Sequence, residues 1–311
     1  MKIVSIVSQM KWNTSQKDRL TKLGEFVEYS AKKANSDQVA EMIGDADILI
    51  VGSSGVQTVD QNVFEKCKNL KFITVLGVGA DFVDLASALK RGIRVSNLRG
   101  ANSESVAEHI WGLILSLSKK VTESHIGTKA GKYEFLHYFG KELFRKTIGI
   151  IGYGEIGSKV ARIAKGFDMK ILVVTRTHKE NQEVEFVTMD RILKESDVIV
   201  VTVPLTTETT DLISIDEFGM MKTGVILVST SREAVINKEA LLKTLQDGKL
   251  FGFGMELDIN MPADPAYYEF SNVVITPHNA FFTKESEDKS NDLAVENVEK
   301  FIEGKMQNLV N

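Results

Sequence analysis

The chain has 311 residues, a formal net charge of −4, 43% apolar and 26% charged residues, the composition of a globular protein of about two domains at ~150 residues each. No basic face is advertised for nucleic acid, and the single Cys67 leaves no intrachain disulfide and no metal-ligand spacing. The longest apolar-rich stretch, HIWGLILSLS, falls well short of the ~18 residues of a membrane span, so the expectation is a cytoplasmic protein with no membrane partner and no metal.

The first element, KIVSIV (2–7), reads as a buried strand and lacks the longer apolar core and small-residue cleavage site of a secretory signal. Strand-length apolar runs recur at ADILIVG (46–52), KFITVLG (71–77), TIGIIG (147–152), KILVVT (170–175), DVIVVTV (197–203), GVILVST (224–230) and NVVITP (272–277). Several are apolar without alternation, as strands buried on both faces are. Helical patterns such as SKVARIAKGF and KEALLKTLQDG lie between them, and alternating strand and helix predicts an α/β fold with parallel sheets. Two such series are split near residue 100. The long helix after the split opens with a capping-box pattern, Ser105 and Glu108, and carries Val106, Ile110, Leu113, Ile114 and Leu117 at helical spacing. Trp111 and Leu115 make it apolar on more than one side, so either another part of the chain or a second copy is expected to cover it.

TIGIIGYGEIGSKVARIAK places Gly152, Gly154 and Gly157 as G-x-G-x-x-G between a predicted strand and a predicted helix, the context that gives this motif its value. The first glycine permits the tight turn, the second lets a pyrophosphate approach the backbone, and the third lets helix and strand pack closely. Phosphates then sit on the free N–H groups at the helix start, around Glu155, Ile156 and Gly157, with the Glu155 charge turned away from them. The next strand ends at VVTRTHK. The acid that usually binds the ribose 2′-hydroxyl is replaced by Thr175, and Arg176, Thr177, His178 and Lys179 follow. An acid would repel a 2′-phosphate, whereas an arginine fork binds it. The expected cofactor is NADP(H), with NAD as the weaker alternative.

At this point the chain resembles the D-isomer-specific 2-hydroxyacid dehydrogenases. The resemblance runs through GVGADFVD (77–84), NLRGANSESVAEHIWGLILSL (97–117), GKELFRKTIGIIGYGEIG (140–157), VPLTTETTDLI (203–213), MKTGVILVSTSR (221–232) and NVVITPHNA (272–280), in that order. It implies two Rossmann-like, doubly wound domains with the active site in the cleft between them. The dinucleotide domain would span 101–282, inserted in a substrate domain built from 1–100 and 283–311. The resemblance puts Arg232 on the substrate carboxylate and keto oxygen, a task suited to its planar fork. It makes His278 the acid that protonates the keto oxygen. Backbone amides of Val78 and Gly79 would receive the carboxylate. Pro204, Thr209, Ser231 and Glu256 would line the cofactor, Glu256 standing where the family has an Asp for the nicotinamide carboxamide. Ser53, Ser54, Phe281 and Phe282 are candidate pocket walls. His109 reads as helix packing. A homodimer through the 103–120 region is expected.

The pattern breaks in GMELDINMP (254–262). The family normally has a Glu before the Pro, hydrogen-bonded to the histidine. Counting from Glu256 puts that position at Met261; counting back from NVVITPH puts it at Ile259. Neither is an acid. Gly is also usual after the arginine, and here it is Glu233. Without the carboxylate an imidazolium is less stabilised and its ring less well oriented, so ketone reduction is expected to favour lower pH. Asp258, Glu256 and Glu233 are the acids that could turn toward His278. If 252–258 is extended, alternation puts Asp258 on the side of Glu256, which makes Asp258 the candidate substitute. The reading is an NADP-dependent 2-keto acid reductase with an altered proton relay. Its rivals are a nucleotide-responsive regulatory or scaffold protein on the same fold, and a dehydrogenase of a non-carboxylate substrate.

Overall fold

The computed structural model describes residues 1–8, 11–176, 183–258 and 261–311. The chain divides into two compact units, residues 1–102 with 282–311, and residues 103–281. Among the described residues no helix is long and apolar enough to cross a membrane, and no cluster of His, Cys, Asp and Glu has the makings of a metal site.

The first unit is built on a parallel sheet of β1 (Lys2–Val7), β2 (Glu25–Ser30), β3 (Ile48–Val51), β4 (Phe72–Val75) and β5 (Arg94–Ser96), in the order β2-β1-β3-β4-β5. Its apolar runs lack alternation because both faces are covered. Ile3, Ile48 and Ile50 pack on one side with Leu20, Val295 and Val298, while Val4, Ile6, Leu49 and Val51 pack on the other with Val39, Ile43 and Val63. The C-terminal helix Lys284–Ile302 belongs to this unit and stacks Phe301 on Phe72 at 4.5 Å between ring centroids.

The second unit carries β6 (Thr147–Ile151), β7 (Lys170–Val174), β8 (Glu185–Phe186), β9 (Val198–Val201), β10 (Val225–Ser229), β11 (Leu250–Glu256) and β12 (Val273–Thr276), all parallel. The order is β12-β11-β10-β9-β6-β7-β8. After β6 the chain winds one way to β7 and β8, then returns to place β9 on the other side of β6. The strand order reverses at β6/β9, and the crevice at the carboxyl ends of such strands is where open α/β sheets bind ligands.

Strands β2, β5, β8 and β11 were not among the predicted runs. β2 is a polar edge strand and β5 and β8 are only three and two residues long. β11 reads LFGFGME, with two glycines that weaken any strand signal. Those glycines are needed because the helix Ser103–Ser118 lies on them: a Cβ at Gly252 would meet Leu117 Cδ2 at 2.8 Å, and one at Gly254 would meet Leu113 Cβ at 3.2 Å. The other side of this helix is also covered within its own unit. Trp111 stacks on Phe167 at 4.8 Å and donates its indole N–H to the Val160 carbonyl. The Trp111 side therefore needs no second copy, whereas Leu115 stays exposed. Further exposed apolar side chains follow the helix, at Val121, Ile126, Tyr133, Phe135, Leu136, Phe139 and Phe144.

Candidate active site

The glycine loop after β6 shows three different demands. Gly152 has φ +100°, and a Cβ there would strike the Thr202 carbonyl oxygen at 2.8 Å. A Cβ at Gly157 would sit 2.1 Å from the Gly152 oxygen. At Gly154 a Cβ would meet nothing within 4 Å. The first and third glycines are dictated by the protein's own backbone; the second faces open space at the start of the helix Glu155–Ala164, whose first turn has no side-chain cap. Uncapped N–H groups beside such a space fit a pyrophosphate, so the residues present suit a dinucleotide. Glu155 is exposed, as a charge beside that site must be.

The neighbouring strand ends complete this rim. Thr175 follows β7, and Arg176 pairs with Glu208 at 3.0 Å, both well exposed. Thr177, together with His178 and Lys179, lies outside the described residues. Thr209 donates to the Pro204 carbonyl at 2.6 Å and accepts from Thr206 N–H at 2.7 Å, so its hydroxyl shapes the turn after β9. Ser231 donates to the Val203 carbonyl at 2.8 Å, tying the ends of β9 and β10 together.

Arg232 and His278 follow β10 and β12, at the same carboxyl edge of the sheet. His278 has φ +59°, a left-handed conformation rare for a non-glycine residue. Its Nδ1 lies 2.6 Å from the Leu257 carbonyl oxygen. A carbonyl only accepts, so Nδ1 carries the hydrogen and the neutral ring presents a lone pair at Nε2, which has no partner among the described residues. A backbone carbonyl thus stands where the family pattern has a carboxylate. Met261 is 59% exposed, and Ile259, the other aligned position, lies outside the described residues.

The acids distribute themselves differently from expectation. β11 ends at Glu256, so the extended run does not reach 258 and the alternation that put Asp258 beside Glu256 does not hold. The Asp258 carboxylate lies instead 3.7 Å from the Arg232 guanidinium, and its N–H donates to Glu233 Oε1 at 3.3 Å. Glu256 is buried at 6% exposure. Its Oε1 accepts from the Thr276 hydroxyl and stands 3.3 Å from His109 Nε2; its Oε2 accepts from the Ala280 N–H at 2.9 Å. Burial pushes the Glu256 carboxyl up, but the bonds from His109, Thr276 and Ala280 together outweigh it and hold the group below its ordinary value. Thr276 and Ala280 flank His278, so Glu256 anchors both sides of the histidine turn. His109 is more than helix packing: it meets Thr276 Oγ1 at 3.0 Å and pairs with this carboxylate. Sequence spacing held no signal for it, because the partners are far apart in the chain.

Within the first unit, Val78 and Gly79 lie exposed just after β4, and the Val78 carbonyl accepts from Asn97 Nδ2 at 2.7 Å. Ser54 accepts from the Ser8 hydroxyl at 2.6 Å where the chain leaves β3 and β1, the adjacent strands at which this sheet's order reverses. Phe281 sits 6.1 Å from the His278 ring, edge-on, and Phe282 is exposed.

The family profile described as D-isomer specific 2-hydroxyacid dehydrogenase, NAD binding domain, matches residues 111–280. A hydroxypyruvate reductase of Thermotoga maritima is 36% identical over 283 residues, 89% of this chain and 91% of that protein. An acyclic imino acid reductase solved in complex with NADPH and D-Arg has a TM-score of 0.92 at 25% identity, covering 100% of both chains. A D-lactate dehydrogenase from Aquifex aeolicus, complexed with NAD and lactic acid, has a TM-score of 0.84 at 28% identity, over 99% of this chain and 98% of that one.

Proposed function

The chain belongs to the D-isomer-specific 2-hydroxyacid dehydrogenase family, and from that premise we propose that it reduces a small 2-keto acid to the D-2-hydroxy acid with NADP(H). The observation that carries this is that Arg232 and His278 follow strands at the same carboxyl edge of one sheet, with His278 Nδ1 2.6 Å from the Leu257 carbonyl oxygen. Arg232 binds the substrate carboxylate and the neighbouring keto oxygen through its fork. In the first unit, Val78 and Gly79 offer backbone N–H groups suited to a substrate carboxylate, and Ser54 is assigned to the substrate. The protonated His278 gives its Nε2 proton to the keto oxygen and is left as the Nδ1–H tautomer that the Leu257 bond favours. When bound, the nicotinamide supplies the hydride that reaches the keto carbon. Gly152, Gly154, Glu155, Ile156 and Gly157 cradle the phosphates, with Pro204, Thr209, Ser231 and Glu256 around the remainder.

Preference for NADP(H) is supported by Thr175 in place of an acid and by Arg176, whose exposed pair with Glu208 contributes only about 0–1 kcal/mol and yields to a phosphate. The imino acid reductase of the same fold holds NADPH. A homodimer through the 103–120 helix region is part of the proposal, covering Leu115 together with the exposed apolar side chains that follow it between Val121 and Phe144; a single monomeric boundary in sedimentation velocity would contradict it.

The test is oxidation of NADPH, with NADH alongside, on a panel of 2-keto acids that includes hydroxypyruvate and glyoxylate. Turnover is expected, faster with NADPH, and lost in Arg232→Ala. Undiminished turnover in that variant on an accepted acid would end the proposal.

A further inference from the structure

The peptide group between Leu257 and Asp258 is used from both ends. Its carbonyl takes the His278 Nδ1–H at 2.6 Å, and its N–H donates to Glu233 Oε1 at 3.3 Å. One planar amide therefore stands between a carboxylate and the imidazole. The geometry points to Glu233 as the positioning residue that replaces the missing glutamate, acting on His278 through this peptide and not by contact.

The physical basis is polarisation. A carboxylate accepting from a peptide N–H pulls electron density toward the carbonyl oxygen of the same amide and makes it a better acceptor. Chains of such bonds strengthen one another by on the order of 10–30% per bond. The stronger carbonyl dipole favours the positively charged ring over the neutral one, the sign of effect a direct carboxylate has, at smaller size. It also fixes the tautomer, because only an Nδ1–H satisfies the carbonyl. No proton leaves Nδ1 in this arrangement.

Two sequence departures become one device. Glu233 occupies the position after the arginine that is usually glycine, and the acid usual before Pro262 is absent. The extra carboxylate on the loop after β10 reaches the loop after β11 that lost one. Among the described residues, the other nearby acids do not duplicate the role. The Asp258 carboxylate faces Arg232 at 3.7 Å. Glu256 is engaged by Thr276, His109 and Ala280. Asp264 pairs with Lys238. Glu233 also borders a cavity of about 220 Å³ with the buried Tyr267, whose phenol is pushed up to about 12 by burial first and then by the charges of Glu233 and Asp264.

The inference rests on the reading of His278 as the acid, and the experiment separates the two. Glu233→Gln keeps an acceptor oxygen and removes the charge; Glu233→Ala removes both. In kinetics on an accepted 2-keto acid, kcat is expected to fall about threefold in the Gln variant and about tenfold in the Ala variant, well below the 10²–10⁴ of a lost acid. The pH profile of reduction should move toward acid in both, with KM for the keto acid little changed. In NMR of histidine-labelled protein, the His278 Nδ1–H signal should move upfield in both variants. A Gln variant with the wild-type pH profile and Nδ1–H signal would overturn the relay. If the wild type reduces no 2-keto acid, the functional reading fails, and the NMR comparison still decides whether Glu233 acts on His278.

Discussion

The 152–157 loop and the 256–258 segment lie at strand ends of the same sheet, yet they are made of different material. The first is backbone shaped by what side chains must be missing: Gly152 and Gly157 have no room for a Cβ, and Gly154 opens onto free space. The second is backbone acting in place of a side chain: the Leu257 carbonyl holds the histidine where an acid is expected. A site defined by missing side chains is written in residue types. A site defined by a carbonyl is not, because every residue has one.

The sharpest way to break this comparison is within the glycine loop itself. Gly157→Ala forces a Cβ onto the Gly152 oxygen and should destabilise the protein by about 3 kcal/mol or more. Gly154→Ala should unfold at the wild-type temperature and lose about tenfold in cofactor affinity, since its Cβ meets only the space a pyrophosphate would use. Thermal melts with and without NADPH check both. Equal melting of the two variants would remove the distinction.

The second loop depends on its anchor. Glu256→Gln should cost about 2 kcal/mol of stability at neutral pH, the scale of hydrogen bonds to a buried charge. Because the folded carboxyl is held below its ordinary 4.5, that stability is present above the unfolded value and is lost as pH falls through the folded one. Denaturant titrations of wild type and variant should therefore converge on acidification. A gap that stays constant would mean the charge is not what matters. Next in size is Arg176→Gln, expected to narrow the NADPH over NADH preference by about tenfold, the scale of one charge-assisted phosphate contact; an unchanged ratio of kcat/KM would remove Arg176 from the cofactor site. The smallest effect belongs to Met261→Glu. Restoring the family's residue should change turnover by no more than about twofold, because Met261 is exposed and His278 Nδ1 is already engaged. A large gain would show that the loop can still place an acid on the ring.

Much of this was legible in the sequence. The eight apolar runs all became strands because residues such as Ile3 and Val4 each face a covered side of the sheet. The glycine spacing located the tight turn after β6, for steric reasons that hold in any such loop. What escaped detection depended on tertiary partners. β11 was hidden by the glycines that make room for Leu113 and Leu117. His109 was hidden because its partners Glu256 and Thr276 are distant in the chain. Asp258 was assigned from alternation, and alternation stops where the strand does.

The most direct test of the central claim is the product formed from hydroxypyruvate and NADPH between pH 5 and 8 by the wild type and by His278→Ala, resolved by chiral chromatography. The account predicts D-glycerate from the wild type, formed faster toward low pH, and a loss of about 10²–10⁴-fold in the variant. D-glycerate formed equally fast by His278→Ala would contradict it.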